Sequence, residues 1–478
     1  MTPLPSLPGR TVVWLAGAAA VLIVAATVAS EASGSTAEAD AFEQIAGALA
    51  GLGAVIVALS VRPAWPLSIG LAVGAFSGHW DDMGSPIALD RLLIASAIVS
   101  TLVRERLRSP DALRTRPIDW LLALVAIYAV GSALIADTFQ FESVRFALLD
   151  RLSVLGFVLF FVAPKVYREA RARQILLGTL VALGGYIGLT AVFEEIGPEA
   201  LVVPGYITDP TVGIHHDRAR GPFAEAAANG LVLYACVVAS VMAAVTWRDP
   251  RWKKVAVFVA GLCALGILLT VTRAAWIAGG AATLITILSI RETRRFAIPA
   301  VAVVGAGVLL AFAVVPGLQG KAEERASEDR PVWDRRNATS AALRMLQERP
   351  LLGYGWGRFP VESRDFYRQS LDYPLTRQRD LHNVYLANAV ELGLIGGLLW
   401  LVAVLVAVVG SILRRGPPEL RLWKIGLIAW AICYAISALS TPLGYALPTA
   451  LLWVWAGVAR GETWDPASRA SPRATPSR

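Results

Sequence analysis

Long apolar segments recur from one end of this chain to the other, and each is long enough to cross a lipid bilayer. A crossing takes about 20 helical residues, because an α-helix rises about 1.5 Å per residue and the hydrocarbon core is about 30 Å thick. Lipid offers no hydrogen-bond partner to the backbone, so such segments are helical. With 56% hydrophobic and 17% charged residues, the sequence predicts an all-α, polytopic membrane protein.

We predict fourteen spans, two of which are less regular than the others. The third has Pro63 and Pro66 near its start, and the fourth carries Asp90 and Arg91. Without these two spans the number falls to twelve. The fourteen segments are 11–30, 45–62, 64–79, 87–103, 118–136, 147–164, 174–193, 227–247, 254–271, 273–290, 296–316, 383–412, 422–440 and 443–459.

Lysine and arginine residues cluster in alternate connections between these spans, and this pattern predicts the orientation of the chain. Short loops rich in these residues stay on the cytoplasmic side of a membrane. The clusters lie at 104–116, 165–173, 248–254, 291–295, 414–424 and 460–478. Both termini are therefore predicted to be cytoplasmic, and the formal net charge of +8 reflects membrane topology rather than binding of nucleic acid.

The longest connection, residues 317–381, falls on the outward side. It begins with charged residues and continues with the amphipathic run ATSAALRMLQE and the glycine-rich turn RPLLGYGWGRF. Apolar residues at helical spacing predict that the amphipathic run is a helix with one packed face. The predicted organisation is spans at 1–316, this outward loop, three last spans at 382–460, and a tail at 461–478 whose Pro, Ser and Arg content predicts disorder.

Four arginines outside the long loop lie on the outward side: Arg145, Arg218, Arg220 and Arg273. An arginine in a short outward turn opposes the orientation rule unless an anion meets it. Guanidinium groups from two loops suit a diphosphate, because each planar group binds phosphate oxygens in a bidentate manner. The alternative is that these side chains reach the lipid head groups at the membrane surface.

His382 lies where the long loop meets the next span, at the depth of the head group of a lipid-linked substrate. Imidazole titrates near pH 6.5, so a neutral histidine could accept a proton from a hydroxyl as a general base. His382 could equally occupy a polar helix start or be an ordinary interfacial residue. His215 and His216, which lie beside the arginines, could compete for the catalytic role.

Four segments in a fixed order resemble the O-antigen ligase and O-antigen polymerase superfamily: RARGPFAEAAANG, VTRAAWIAGG, LRMLQERPLLGYGWGRF and LHNVYLANAVELGLIGG. The resemblance covers about residues 200–410. It implies a glycosyltransferase of polysaccharide or lipopolysaccharide biosynthesis in the bacterial inner membrane. Such an enzyme transfers a glycan from undecaprenyl diphosphate to a glycan or lipid A-core-type acceptor, with inversion, at the periplasmic face and without metal or other cofactor.

The resemblance also implies roles for individual residues. His382 would deprotonate the attacking hydroxyl, with Asn383 beside it as a supporting candidate. The donor diphosphate would be bound by arginines, namely Arg218 or Arg220 together with Arg273, with Arg335 and Arg336 of the long loop as supporting candidates. No residue is implied to bind a metal.

Two other functions compete with that of a ligase. A polymerase of O-antigen or exopolysaccharide would use the same donor and differ only in its acceptor. A flippase or transporter for a lipid-linked oligosaccharide would instead place charged groups within its helices. Asp90, Arg91 and Glu391 are the candidates for such charges.

Overall fold

The computed structural model describes residues 61–85, 88–109, 113–214, 216–291, 294–314, 317, 319–320, 323, 327, 330–368 and 381–461. Regular structure in these residues consists of α-helices and short 3-10 turns, without a strand, so the prediction of an all-α chain is confirmed. The predicted span at 11–30, nearly all of that at 45–62, and the tail beyond Gly461 lie outside the described residues.

One compact unit contains the described residues up to Arg114, together with Glu169–Thr179. Its helices α1 (Ala64–Val73) and α2 (Leu89–Arg108) pack against each other. Asp90 lies in the first turn of α2 and accepts a hydrogen bond from Trp80 Nε1 at 2.8 Å. This carboxylate is at a helix start, whereas a transporter would be expected to place a charge midway along a span.

The second unit contains Thr115–Arg168 and the described chain from Leu180 onward. Most of the long apolar helices belong to it. One of them, the helix Ala170–Glu195, has its first residues in the first unit. Its helices are α3 (Pro117–Ile135), α4 (Glu142–Leu149), α5 (Val154–Val166), α6 (Ala170–Glu195), α7 (Ala226–Thr246), α8 (Pro250–Leu269), α9 (Arg273–Ser289), α10 (Ala297–Val314), α11 (Arg330–Glu348), α12 (Phe359–Glu362), α13 (Val384–Leu413), α14 (Arg421–Ser437) and α15 (Ala446–Arg460).

Within the described chain, seven helical segments are long and apolar enough to cross a membrane. They are Pro117–Ile135, Glu142–Val166, Ala170–Glu195, Ala226–Thr246, Pro250–Leu269, Val384–Leu413 and Pro418–Ser437. Shorter apolar helices occur at Ala64–Phe76, Arg273–Ser289 and Ala446–Arg460. Each predicted span from the third to the fourteenth overlaps a helix, which confirms a polytopic helical membrane protein.

Helices of the second unit alternate in direction, and this alternation brings several helix termini to one end. Met242, near the end of α7, packs against Gly426, near the start of α14. The N–H of Ala219, just before α7, donates to Leu269 O at the end of α8 (3.2 Å). At the start of α13, the N–H of Val384 donates to Ala438 O, which directly follows α14 (2.9 Å). We call the end that carries the starts of α7, α9 and α13 the loop end.

The amphipathic helix predicted in the long loop is α11, and it packs at the loop end. Its buried face, formed by Ala338, Ala341 and Met345, contacts Ala387 and Val390 of α13. Since an α-helix brings residues three and four positions apart onto one face, the spacing in the sequence accounts for this packing. The long loop is therefore partly helical, as predicted.

Helix α13 is broken at Gly393, which has φ 69° and ψ 176°. The glycine-rich turn of the long loop docks at this break. The N–H of Tyr354 donates to Val390 O (3.0 Å), and the N–H of Leu394 donates to Pro350 O (2.8 Å). A Cβ at position 393 would lie 2.1 Å from Leu351 O. Glycine is therefore required where the turn crosses the helix.

Candidate functional site

Arg218 and Arg220 lie in one loop but have different surroundings. Arg220 is only 1% exposed. Its Nε donates to Ile207 O at 2.8 Å, and its Nη1 and Nη2 donate to Val212 O and Asp209 O. Each guanidinium nitrogen is thus engaged by a main-chain carbonyl of the preceding loop. The side chain of Arg220 therefore holds this loop together rather than presenting its donors to a ligand.

Two residues that we did not identify from the sequence fix the same loop. Glu194, at the end of α6, accepts hydrogen bonds from the N–H groups of Arg220 (3.2 Å) and Gly221 (3.0 Å). Asn229, fully buried in the first turns of α7, donates to Ala219 O at 3.1 Å. Gly221 has φ 54°, and a Cβ there would lie 2.5 Å from Asn229 Oδ1. The only feature of the sequence that could have indicated these structural roles is a polar residue within an apolar run.

The structure brings the loop of Arg218 against the turn that precedes Arg273. Nη1 of Arg218 lies 3.4 Å from both Val271 O and Thr272 Oγ1. Thr272 directly precedes α9, and Arg273 is the first residue of that helix. Arg218 is 8% exposed, whereas Arg273 is exposed. Arginines from two loops that are distant in sequence therefore meet at the start of α9.

The turn between Arg218 and Arg273 has an unusual backbone conformation. Val271 has φ 43°, in the left-handed region that β-branched residues rarely adopt. Its N–H donates to Leu268 O at 3.1 Å, while its carbonyl faces Arg218. A residue stays in such a conformation only when its neighbours hold it there. The position of Arg273 is thus fixed by contacts on both sides of the turn.

Arg335 of α11 lies close enough to Arg273 for the two charges to interact. Desolvation lowers the pKa of the Arg335 guanidinium, and the positive charge of Arg273 lowers this pKa further. Arg335 is nevertheless an exposed residue. Like charges at short range repel unless an anion lies near them. Arg336 is exposed too, but successive residues of a helix point in different directions, so it does not share the orientation of Arg335.

His382 lies two residues before α13, and the residues on both sides of it are held in place. Asn383 caps the helix, with its side-chain oxygen accepting a hydrogen bond from the N–H of Leu386 at 3.0 Å. On the other side, Leu381 is buried among the apolar residues of α11. His382 itself is partly exposed. Asn383 thus has a structural role, because a capping asparagine fixes where the helix begins.

Two other histidines compete with His382 for the catalytic role. His216 is exposed in the loop before Arg218, and His215 lies outside the described residues. A general base must be held in place relative to the group that it deprotonates. The capped helix start on one side of His382 and the packed leucine on the other provide such support.

Glu391, the candidate for a charge within a transporter helix, is fully buried and ion-paired with Arg151. The N–H groups of Gly357 and Phe359 also face its carboxylate. Its position is about two turns from the start of α13. A transport site would need a charge that its cargo can reach, whereas this charge is enclosed by partners from the protein itself.

Residues 256–401 match the family model described as O-antigen ligase. The matched region runs from α8 into α13 and includes Arg273, Arg335 and His382, whereas Arg218 and Arg220 precede it. No curated protein matches the chain at a significant level. The match supports the resemblance to the O-antigen ligase superfamily that the sequence motifs indicate.

Proposed function

We propose that this protein is a member of the O-antigen ligase superfamily that transfers a glycan from undecaprenyl diphosphate to an acceptor hydroxyl at the periplasmic face of the bacterial inner membrane. The match to the family model supports glycan ligase or polymerase activity, and the apolar helices support a membrane location. The observation that carries the proposal is the contact of Arg218 with the start of α9, where the charge of Arg273 also acts on Arg335. His382 lies at the same end, two residues before α13. Transfer requires the base and the anion-binding groups on the same side of the membrane.

The arginines bind the donor diphosphate in this proposal. Arg273 and Arg335 are exposed and would bind the phosphate oxygens, and Arg218 braces the turn that precedes Arg273. When the bond between the sugar and the diphosphate breaks, negative charge grows on the departing phosphate oxygen. Charged donors that are already in place stabilise this charge in the transition state.

His382 supplies the base. Its neutral imidazole takes the proton of the acceptor hydroxyl as that oxygen attacks the anomeric carbon from the face opposite the diphosphate. One carbon–oxygen bond forms, the bond to the phosphate oxygen breaks, and the lipid diphosphate leaves as an anion. The configuration at the anomeric carbon is inverted, and the arginines neutralise the leaving group without a metal ion.

Deletion of the gene distinguishes the acceptors. If the protein is a ligase, full-length polymer accumulates on its carrier lipid, because chain assembly continues without final transfer. If it is a polymerase, single repeat units accumulate or reach the surface. A flippase would leave unprocessed units on the cytoplasmic face. An unaltered surface polysaccharide and an unaltered pool of carrier-linked glycan in the deletion strain would contradict the proposed activity.

A further inference from the structure

The break at Gly393 isolates a short first segment of α13, residues 384–392, with His382 just before its start. A buried ion pair holds the other end of this segment. Arg151, in the turn between α4 and α5, donates from Nη2 to Glu391 Oε2. Glu391 is 0% exposed. Losing one partner of such a pair leaves an uncompensated charge in an apolar interior.

The same ion pair also contacts the glycine-rich turn of the long loop. The guanidinium carbon of Arg151 lies 4.2 Å from the centroid of the buried Trp356 ring, a cation–π contact. The N–H groups of Gly357 and Phe359 face the Glu391 carboxylate, and the N–H of Gly355 donates to the Glu391 carbonyl at 2.9 Å. One buried glutamate thus joins the α4–α5 turn, the outward loop and α13.

Further hydrogen bonds fix both ends of the segment. Tyr128 Oη donates to Leu392 O at 3.0 Å next to the ion pair. At the start, the N–H of Val384 donates to Ala438 O at 2.9 Å. Only about two helical turns separate Val384 from Glu391. A tilt at the ion pair would therefore move the helix start, and His382 with it.

We infer that Arg151 and Glu391 are positioning residues, whose ion pair aims the first segment of α13 and thereby places His382 relative to the donor-binding arginines. This inference rests on the proposed function. Desolvation offsets most of the attraction within a buried pair, so its contribution to stability is no greater than that of an apolar pair of similar volume. The ion pair instead fixes the orientation of residues 384–392, because the break at Gly393 separates this segment from the rest of α13.

A second buried ion pair in the same unit provides a matched control. Arg460, at the end of α15, donates to both carboxylate oxygens of Asp119, at 2.8 and 3.3 Å. Asp119 lies in the first turn of α3, opposite the end of α3 that contacts the glycine-rich turn. This pair matches the first in chemistry and burial but lies away from His382.

The test uses full-length protein in lipid nanodiscs, with carrier-linked glycan and acceptor glycolipid extracted from the deletion strain. For Glu391→Gln we expect kcat to fall by up to about 100-fold, the effect of a displacement of about 1 Å at a reacting group, with the KM for donor unchanged. Asp119→Asn should leave both constants at the wild-type values. Arg151→Lys keeps the charge but loses the planar stacking group, and we expect an intermediate kcat.

A second measurement does not depend on transfer. Modification of His382 by diethyl pyrocarbonate, followed by peptide mass spectrometry, should change in rate in Glu391→Gln and not in Asp119→Asn. Wild-type kcat and wild-type modification rate in folded Glu391→Gln protein would overturn the positioning role. If wild-type protein transfers no glycan from this donor, the proposed function fails, and the modification rates still decide whether the ion pair positions His382.

Discussion

Three arginines from separate parts of the chain lie at the loop end: Arg218, Arg273 and Arg335. Arg218 is almost enclosed, and the charge of Arg273 reaches Arg335. Keeping like charges together in partly desolvated surroundings costs free energy. A diphosphate offers several oxygens to planar donors, so this group of arginines suits such an anion.

Arg273 should be sensitive even to replacement by lysine. A single ammonium group cannot bind two phosphate oxygens in the bidentate manner of a guanidinium. We expect Arg273→Lys to lower kcat/KM for the carrier-linked donor by about 10- to 100-fold, the equivalent of one or two charged hydrogen bonds. Arg364→Lys, in an exposed turn of the long loop, is the control. Equal kinetics for both variants would argue against bidentate binding at Arg273.

Arg218 and Arg220 should respond differently to the same substitution. Lysine at position 220 cannot satisfy the carbonyls of Ile207, Asp209 and Val212 together, and each buried group left unpaired costs about 1 to 3 kcal/mol. We expect Arg220→Lys to lower the thermal unfolding midpoint in detergent. Arg218→Lys should keep that midpoint but weaken donor binding. The reverse pattern would move the diphosphate contact to Arg220.

The loop of Arg218 and the start of α7 form one element that depends on Gly221. Alanine there would need a left-handed backbone and would collide with the buried Asn229 amide. We expect Gly221→Ala to lower transfer by displacing Arg218 from Thr272. Gly205→Ala, in the same connection with open space around it, should transfer glycan at the wild-type rate. Full activity of Gly221→Ala would show that the loop can move without harm.

The helices were predictable because apolar length and helical spacing are local properties of the sequence. The break in α13 was not predictable, since Gly393 lies inside a predicted span and the break depends on Leu351 from the long loop. The two arginines of the RAR motif likewise look equivalent in sequence. Only the carbonyls around Arg220 and the Thr272 hydroxyl beside Arg218 distinguish them. Glu194 was missed because its contacts are likewise with residues distant in sequence, the N–H groups of Arg220 and Gly221.

At the scale of the whole molecule, basic turns lie opposite the loop end in the second unit. Arg251 follows α7, and Arg414 follows α13, whereas the loop end carries α11 and His382. Positive charge retained in the cytoplasm would place the loop end in the periplasm. This asymmetry links the charge pattern of the sequence to the side of the membrane on which transfer is proposed.

Cysteine labelling tests this orientation. The three native cysteines are buried and should not react. Glu348→Cys, at the exposed end of α11, should react with a membrane-impermeant maleimide in intact cells. Arg251→Cys, exposed in the first turn of α8, should react only after the membrane is opened. The opposite pattern would place His382 on the cytoplasmic side and contradict the proposed donor chemistry.

Transfer by His382→Ala protein decides whether His382 acts as the general base. The assay uses wild-type and variant protein in nanodiscs, carrier-linked glycan from the deletion strain as donor, and EDTA throughout. We predict transfer by the wild type, and in the folded variant a loss of about 100- to 10,000-fold, the usual contribution of a general base, with donor binding retained. Transfer by His382→Ala at the wild-type rate would contradict the account.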